Sequence, residues 1–402
     1  MGRLKMSHRV IFLTPHRFAL NLFKRMYLGL CQLEYKPIYI VPRYHMYRKL
    51  VQESKDAILI TKKTERIAFN VNQTIEFACG AMSAQDASDF MAACYQALPS
   101  SCASDIIVNF NGNTMMGEVV RLYASENKVK TLFIEIGNFP GKLFADPLGC
   151  NASARLFSAH ERILASLEYD MSAFQSWKKH YLGGCSAGKK VPQAEALRSS
   201  YLERKRYQLY DRYGRLFMGA VKTHRSTVRI RLPIKASGFL TYTPLPERFY
   251  IMPLQVADDT QLLIHARMTN LQAVQIAHHH ATSAGAPLIV TPHPADMESE
   301  HFKHVAQYCH DNQIILSAHP TFTCLQKAEH VITINSTVGL QAQLLGKPVT
   351  YLGKSFFPLL ERDTSIAKYI QHYLLDIDPF STEPIAIHQL QRLLTRAETS
   401  ST

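Results

Sequence analysis

Two short segments place phosphate-binding residue types directly after a predicted strand. In the first, the apolar run 288–291 leads into His293, which has proline on both sides. Those prolines restrict the backbone and so aim the imidazole in one direction. In the second, the run 331–334 leads into Ser336 and Thr337 at the start of a predicted helix. Backbone N–H groups, the helix dipole and hydroxyls together form an anion site at such a position.

Each segment also has a purely structural explanation. Ser336 is of a residue type that is common at helix N-caps, and His293 could be a histidine that only satisfies local packing. On adjacent strand ends of one lobe, however, the two segments form a good clamp for a nucleotide phosphate. Because no DxD pair on a strand points to a divalent metal, we expect a histidine and a helix dipole to neutralise the phosphate. We therefore predict neither a metal nor a cofactor.

Carboxylates that could react lie near two other predicted strands. Asp258 and Asp259 are adjacent and precede His265, and either could be a nucleophile or a general base. A solvated turn explains the pair equally well. Nearer the N-terminus, Glu135 ends an apolar strand, where it could act as an acid or base or contact an acceptor. The triplet 278–280 of histidines lies in a helical pattern, which separates the side chains too widely for a good metal site.

Short apolar runs alternate with amphipathic stretches, and this alternation favours parallel βαβ units. The predicted strands are 10–13, 38–41, 106–110, 131–136, 250–254, 261–265, 287–291, 314–318, 331–334 and 348–352. The predicted helices are 84–97, 116–126, 270–283, 298–312, 323–329 and 337–345. We predict an α/β protein with two Rossmann-like lobes, and a ligand in the cleft between them at the carboxyl ends of the strands.

A basic, tyrosine-rich stretch between about 165 and 245 interrupts the alternation. It ends in a turn-rich linker around 241–246. We therefore predict four regions, which are an N-terminal lobe at 1–165, a basic aromatic-rich insertion at 166–246, a C-terminal lobe at 247–385, and a helix or tail at 386–402.

Composition excludes several classes of protein. The 402 residues are 47% hydrophobic and 19% charged, which excludes a disordered or fibrous chain. No apolar run approaches the roughly 20 residues that span a bilayer, and the basic N-terminus lacks the apolar segment of a signal peptide. The eight cysteines include no CxxC pair, which favours reduced thiols. We expect a protein that stays in the cytoplasm.

The net charge of +13 is concentrated in one segment. Residues 178–235 contain 15 Lys and Arg but only three acidic residues, with six aromatic residues among them and Trp177 directly before them. The part around 201–210 fits a basic amphipathic helix, a type of surface that binds anionic lipid or nucleic acid. A solvated helical face is the simpler explanation, although the concentration of charge disfavours it. The basic residues that we assign to a membrane or acceptor patch are Arg204, Lys205, Arg206, Arg212 and Arg215.

The order and spacing of these motifs resemble the bacterial capsule polysaccharide biosynthesis family, whose members are β-Kdo glycosyltransferases of GT-B fold. The resemblance covers about 250–353, and it depends on the segments 255–261, 293–294, 335–339 and 346–349. It extends weakly to 135–137 and 149–153. The two lobes would then be an N-terminal acceptor lobe and a C-terminal lobe that binds a CMP-sugar.

This resemblance implies that the donor substrate is a CMP-activated 2-keto sugar acid, Kdo, held by His293, Ser336 and Thr337. It also implies retention of configuration, through an aspartate that attacks the anomeric carbon. Asp259 fits that role better than Asp258, which we keep in reserve. We place the further donor-binding residues at Pro294, Asn335, Gly339, Gln255 and His265, and we assign Glu135 to the acceptor side with the catalytic residues.

The partners that we expect are a CMP-sugar donor, a lipid-linked or oligosaccharide acceptor, and the inner face of the cytoplasmic membrane, which the basic patch would contact. Other capsule biosynthesis or export proteins are further expected partners, whereas nucleic acid is not. The sequence leaves the acceptor and the linkage open.

Three alternatives remain at this level. The first is an inverting sialyltransferase that uses CMP-sialic acid, with Asp259 as the base. The second is a nucleic-acid-binding protein that uses the basic stretch, and the third is a non-catalytic component of an export complex. A panel of donors and the anomeric configuration of the product separate the first alternative from the Kdo transferase.

Overall fold

The computed structural model describes residues 8–62, 67–187, 201–223 and 240–398. These residues form two compact units. The first unit comprises the described residues of Met1–Ala159, Val191–Arg225 and His372–Thr402, and the second comprises those of His160–Lys190 and Ser226–Gln371. No helix among the described residues is both long enough and apolar enough to cross a membrane.

The first unit is built on a six-stranded sheet. Its elements in chain order are β1 (Arg9–Leu13), α1 (Arg17–Lys24), α2 (Tyr27–Gln32), β2 (Lys36–Val41), α3 (Tyr44–Gln52), β3 (Ala57–Leu59), α4 (Ile75–Ala78), α5 (Ala84–Ala97), β4 (Ile106–Phe110), α6 (Met115–Asn127), β5 (Lys130–Ile136), β6 (Leu143–Asp146) and α7 (Arg155–Ala165), the last of which continues into the second unit. The strand order is β3-β2-β1-β4-β5-β6, and all neighbours are parallel except β5 and β6. The strand order reverses between β1 and β4, as in a Rossmann sheet.

The second unit repeats this arrangement. Helix α8 (Met171–Ser186) belongs to the second unit, and α9 (Tyr201–Phe217) belongs to the first. The second unit continues with β7 (Tyr250–Pro253), α10 (Asn270–Ser283), β8 (Leu288–Thr291), α11 (Glu300–Asp311), β9 (Ile315–Leu316), α12 (Thr321–Lys327), β10 (His330–Thr333), α13 (Thr337–Leu344), β11 (Val349–Tyr351) and α14 (Asp363–Lys368). The last helix, α15 (Ile387–Glu398), belongs to the first unit. The sheet order is β11-β10-β7-β8-β9 and every pair is parallel. The reversal here lies between β7 and β10. Two such units confirm the predicted α/β, GT-B-type fold class.

The buried strands explain why the sequence adopts these sheets. In β1 and β4 nearly every side chain is buried, because helices cover both faces of a parallel sheet. Phe12 stacks on Phe23 and Tyr39 in the core of the first unit. In the second unit, Val290 of β8 and Ile332 of β10 are fully buried in the core.

One predicted strand is wrong. Residues 261–265 form part of a π-helical turn, Gln261–Ala266, instead of a strand. The apolar run of this segment is compatible with either structure, and periodicity cannot distinguish them at that length. Two hydrogen bonds from outside the run decide the outcome, since Asp259 accepts the N–H of Gln261 and Asn335 donates to the carbonyl of Gln261.

The basic segment 166–246 is divided between the units. Helix α8 belongs to the second unit, where Lys178 pairs with Asp363 and Tyr181 bonds to Gln341. Helix α9 belongs to the first unit, and so does the chain from His372 onward, including α15. The side chains of α15 at 390, 393, 394 and 397 are buried in the core of the first unit. Seven of the 15 basic residues lie outside the described residues, at 189, 190, 198, 225, 229, 231 and 235.

A buried carboxyl group in the first unit makes stability depend on pH. Glu76 is 7% exposed, its Oε2 accepts the Met115 N–H at 3.0 Å, and burial raises its pKa to about 7. The unfolded chain releases this proton near the ordinary Glu pKa of about 4.3. The folded state keeps the proton to higher pH, so stability falls as pH rises from about 4.3 to about 7 and is level above that.

We expect Glu76→Gln to remove this dependence. The variant should be more stable than the wild type at pH 8 by about 2 to 3 kcal/mol and equal to it near pH 4, because an amide keeps the acceptor without ionising. Urea unfolding at several pH values measures this difference. Glu126→Gln, at an exposed position of α6, is the control, and parallel pH profiles for Glu76→Gln and the wild type would contradict the prediction.

Candidate functional site

The candidate residues of the second unit follow three neighbouring strands. The segment 255–259 follows β7, His293 follows β8, and Ser336 follows β10. In the sheet, β7 lies between β10 and β8 and all three strands are parallel. Their carboxyl ends therefore lie at one edge of the sheet, and the reversal in strand order between β7 and β10 is where open α/β sheets bind ligands.

Gln255 and Asn335 connect the two strands at this reversal. The Gln255 Nε2 donates to Asn335 Oδ1 at 3.2 Å, and the Asn335 N–H donates to Gln255 Oε1 at 3.2 Å. Both residues are almost fully buried. Asn270 holds the Gln255 backbone, because its Oδ1 accepts the N–H at 3.2 Å and its Nδ2 donates to the carbonyl at 2.7 Å. This buried amide network fixes the register of the two strand ends.

Asn335 also positions the loop that carries the aspartates. Its Nδ2 donates to the Gln261 carbonyl at 2.9 Å and lies 3.4 Å from the Lys354 carbonyl. The π-helical turn that begins at Gln261 contains His265, which is half-buried, and it ends at Arg267 in the left-handed conformation with φ 51°. Such turns are frequent at functional sites.

The structure distinguishes the two adjacent aspartates. Asp258 is exposed, whereas Asp259 is half-buried and its Oδ1 accepts the Gln261 N–H at 2.9 Å. Burial raises the pKa of Asp259, and the hydrogen bond from Gln261 offsets part of that rise. A half-buried carboxylate with a raised pKa is suited to nucleophilic or base chemistry. Asp258 has the environment of the solvated turn that the sequence allowed.

His293 is held in one tautomer when it is neutral. The Ala295 N–H donates to His293 Nδ1 at 3.1 Å, so Nε2 carries the proton of the neutral ring. The His293 carbonyl accepts the Asp296 N–H at 2.9 Å, which closes a turn directly after β8. His293 is half-buried and Pro294 is exposed. In the neutral ring, Nδ1 is therefore the acceptor and Nε2 carries the donor N–H.

Ser336 is the N-cap of α13. Its Oγ accepts the Val338 N–H at 3.2 Å, and its carbonyl accepts the Gly339 N–H at 3.0 Å. The structural role that the sequence allowed for Ser336 is therefore present, and the hydroxyl hydrogen can still be donated to an anion. Thr337 is the first residue of the helix and is half-buried.

Glycine is required at position 339 of α13 because Tyr351 of β11 lies directly against it. A Cβ at this position would overlap the Tyr351 ring. The Tyr351 hydroxyl and the Gln261 Oε1 are buried and have no hydrogen-bond partner among the described residues. These two orphaned polar atoms border the network of Asn335 and the start of α13, and buried polar groups normally find partners.

Glu135 lies in the first unit. It is half-buried near the end of β5, opposite Phe144 of β6, and its Oε1 accepts the N–H of Ile136 at 3.0 Å. Cys150 lies close enough for the charge of Glu135 to raise the pKa of its thiol, although burial of that thiol is the larger cause. The sequence assigned Glu135 to an acceptor, and that assignment remains a prediction.

The five residues of the predicted membrane or acceptor patch all lie on α9. Lys205, Arg206, Arg212 and Arg215 are exposed, and Arg204 is half-buried. None of the described residues forms a group of three or more His, Cys, Asp or Glu side chains that could hold a metal ion.

Sequence reasoning missed several residues of the second unit. Asn270 and Tyr351 were not singled out, and Gln261 was placed in a strand. The Asn270 signal was present, because Thr269 and Gln272 form a capping box that places Asn270 at the first position of α10. No pattern in the sequence reveals the packing of Tyr351 against Gly339, since this contact is made between strand β11 and helix α13.

The family model described as "Capsule polysaccharide biosynthesis protein" matches residues 105–368, which is more than half of the chain. The chain is 25% identical over 256 residues to Protein FixF of Sinorhizobium fredii, a match that covers 63% of this chain and 49% of FixF. It is 27% identical over 125 residues to the capsule polysaccharide export protein KpsS of Escherichia coli, which covers 29% of this chain and 32% of KpsS. The chain thus spans about half or less of the length of these curated relatives.

Among solved structures, the chain is similar to the β-Kdo 2,7 transferase of Thermosulfurimonas dismutans KpsC, with 13% identity and a TM-score of 0.45. That match covers 97% of this chain and 99% of the other. The family match includes β4 to β6 of the first unit and β7 to β11 of the second, and so contains every residue of the candidate site. The chain belongs to the capsule polysaccharide biosynthesis protein family.

Proposed function

We propose that this protein is a glycosyltransferase of capsule or surface polysaccharide biosynthesis that transfers Kdo from CMP-Kdo to a lipid-linked or glycan acceptor, with retention of configuration. The observation that carries the proposal is the juxtaposition of His293, Asn335 to Thr337 and Asp259 on three neighbouring strand ends of the second unit. Membership of the capsule polysaccharide family supports the pathway, and the sugar and the nucleotide are assigned by the resemblance of the motifs.

The phosphate of CMP would be bound without a metal. His293 has a fixed Nε2–H donor, Ser336 has a hydroxyl hydrogen, and α13 provides the positive end of its dipole. These groups suit the leaving phosphate, because hydrogen bonds from a helix N-terminus stabilise developing negative charge. The orphaned Gln261 Oε1 and Tyr351 hydroxyl are further candidates for contacts with the donor.

Asp259 would be the nucleophile. Its carboxylate oxygen forms a bond to the anomeric carbon of Kdo, and the bond from that carbon to the phosphate oxygen breaks, so that CMP leaves with the electron pair. An acceptor hydroxyl then attacks the same carbon and displaces Asp259, and its proton passes to a base. We keep Glu135 among the catalytic residues on the acceptor side, as the sequence assigned it, and Asp258 in reserve for the role of Asp259. Two inversions give net retention.

An inverting transfer from CMP-sialic acid is the second candidate, since the raised pKa of Asp259 also suits a general base. In that case Asp259 would remove the proton of the acceptor hydroxyl, which would attack directly. The anomeric configuration of the product, read by NMR, distinguishes the two candidates, since retention supports the Kdo transferase and inversion supports the sialyltransferase.

Binding of CMP tests the proposal first. We expect calorimetry to show binding of CMP in preference to UMP, UDP and ADP, and His293→Ala to weaken it about tenfold, because the variant loses one hydrogen bond to a charged phosphate. His279→Ala, an exposed histidine of α10, is the matched control. Equal binding of all four nucleotides, or none, would exclude a CMP-sugar donor.

Peripheral association with the inner face of the cytoplasmic membrane is part of the proposal. The exposed cations of α9 support it by their charge, because anionic lipid attracts clustered Lys and Arg. A lipid-linked acceptor would then lie close to the enzyme. Other capsule biosynthesis or export proteins are proposed partners on the basis of the family.

A further inference from the structure

Helix α9 exposes an unusual amount of apolar surface. Leu202 is 79% exposed, Leu209 65%, Leu216 65% and Phe217 70%. In the described residues the large hydrophobic side chains that are exposed number twelve, and six of them lie between 202 and 218. A contiguous apolar patch of this kind usually marks an interaction surface.

The opposite face of α9 packs against residues of the first unit. The Tyr207 ring packs against His45 and carries the Arg17 guanidinium at 4.5 Å, and Arg48 lies 4.5 Å from the Tyr210 ring. Docking of this face therefore fixes the direction in which the rest of the helix points.

A buried carboxylate strengthens that docking. Asp211 is buried, its Oδ1 accepts the His45 N–H at 3.2 Å and lies 2.9 Å from His45 Nδ1, and its Oδ2 lies 3.5 Å from Arg43. These contacts hold the pKa of Asp211 below its usual range, against the effect of burial. Gly214 completes the docked face, because a Cβ there would overlap Tyr44.

The three leucines form one stripe opposite the docked face. Leu202, Leu209 and Leu216 are seven residues apart, and at about 100° per residue they fall within about 40° of one another. The docked residues Tyr207 and Gly214 lie roughly 140° to 160° from the middle of this stripe on the same helix. The stripe thus points away from the docked face along about four turns of helix.

Cations flank the leucine stripe on both sides. Lys205 and Arg212 lie on one side of it and Arg206 lies on the other, and all three are exposed. Of the two acidic residues of α9, Asp211 is turned toward His45. An apolar stripe between rows of Lys and Arg is the pattern of a helix that lies in the plane of a membrane.

We propose that α9 lies in the surface of an anionic bilayer, with Leu202, Leu209 and Leu216 inserted at the boundary of headgroups and acyl chains and the flanking cations on the lipid phosphates. This inference deepens the peripheral association included in the proposed function, and it does not depend on the transferase activity. The proposed function requires only that the cations of α9 be attracted to anionic lipid. The present proposal adds that the three leucines insert into the bilayer.

The same contacts disfavour nucleic acid as the partner. Two aromatic rings of α9, Tyr207 and Tyr210, are engaged by Arg17 and Arg48 and are not offered for base stacking, which leaves Tyr213 and Phe217 as the exposed rings among its described side chains. Exposed leucines gain little from a phosphate backbone and much from an acyl phase.

Flotation with vesicles tests the proposal. We expect the full chain to bind vesicles of phosphatidylglycerol and phosphatidylcholine in preference to phosphatidylcholine alone. Leu209→Asn should weaken the partition about tenfold and Leu209→Asn with Leu216→Asn about a hundredfold, because each change removes an inserted leucine without altering charge. Leu28→Asn is the matched control, since Leu28 of α2 is 62% exposed and lies outside the stripe.

Depth is measured with tryptophan, because the chain contains only Trp177. In a Trp177→Phe background, Leu209→Trp should be quenched by lipids brominated on their acyl chains, whereas Leu28→Trp should not. An unchanged partition for the asparagine variants, or no quenching at 209, would overturn the insertion.

Two other results would also overturn it. One is binding of a labelled RNA oligonucleotide with no binding of vesicles, and the other is a dimer in solution that Leu209→Asn dissociates without any vesicle binding by the wild type. Binding of CMP by the same variants keeps the two proposals separable, because α9 belongs to the first unit and the candidate donor residues to the second.

Discussion

Asp259→Asn is expected to lower the rate of transfer about a thousandfold while CMP affinity stays within about twofold of the wild type. The substitution removes the ionisable oxygen that would act as nucleophile or base, a role worth a factor on the order of a hundred to ten thousand. The amide keeps an Oδ1 that can accept the Gln261 N–H, now bonded at 2.9 Å, so the turn should persist. Product formation from CMP-Kdo, with calorimetry of CMP, measures both effects.

The neighbouring Asp258→Asn is the matched control. Asp258 is exposed, so this variant should keep at least half of the wild-type rate. If Asp259→Asn turned over normally and Asp258→Asn did not, the roles would be exchanged. If both variants and the wild type bound CMP without transfer to any acceptor, a non-catalytic component of an export complex would be the better description.

The pH dependence of the transfer rate is a second test of the role of Asp259. Its carboxylate must be ionised to react, and burial raises its pKa above the usual range. As the pH is lowered, activity should therefore begin to fall at a higher pH than it would if the reacting aspartate were exposed.

Asn335→Ala is expected to cost about 3 kcal/mol of the free energy of unfolding and to weaken CMP binding. The side chain accepts from Gln255 Nε2 at 3.2 Å and donates to the Gln261 carbonyl at 2.9 Å. Its removal leaves two buried polar groups without these partners, each at a cost of about 1 to 3 kcal/mol. The turn that carries Asp259 loses its connection to β10. Urea unfolding and calorimetry measure the two effects.

Asn312→Ala is the control for this prediction. Asn312 is exposed, and its Nδ2 donates to the Tyr308 carbonyl at 2.9 Å in the same unit. We expect it to cost about 0.5 kcal/mol. Equal stability of the two variants would contradict a structural role for the network of Gln255 and Asn335.

The sequence predicted the strand ends of the second unit closely. Helix α10 has the predicted bounds, and β8, β10 and α13 differ from prediction by one residue at one or both ends. These elements are mostly apolar strands and capped helices, whose local patterns agree with the fold. Because the ends of parallel strands meet at one edge of a sheet, His293 and Ser336 could be placed at the same edge from the sequence alone. The predicted adjacency of their strands is wrong, because β7 lies between β8 and β10.

The sequence did not predict the conformation of 261–265 or the division of the basic segment. A short apolar run satisfies helix and strand patterns equally, and hydrogen bonds from Asp259 and Asn335 resolve the choice. Periodicity likewise indicated an amphipathic helix near 201–210, but not which side of it would be buried.

The types and order of the residues therefore determined the fold class, the family and the chemistry that the strand ends could perform. Tertiary structure alone decided that Asp259 is half-buried while Asp258 is exposed, and that α9 turns Tyr207 inward and Leu209 outward. The physical reason is that local patterns depend on neighbours within a few residues of the chain. Burial, pKa and the direction of a helix face depend on contacts between residues far apart in sequence, such as Asn335 with Gln255 and Asp211 with His45.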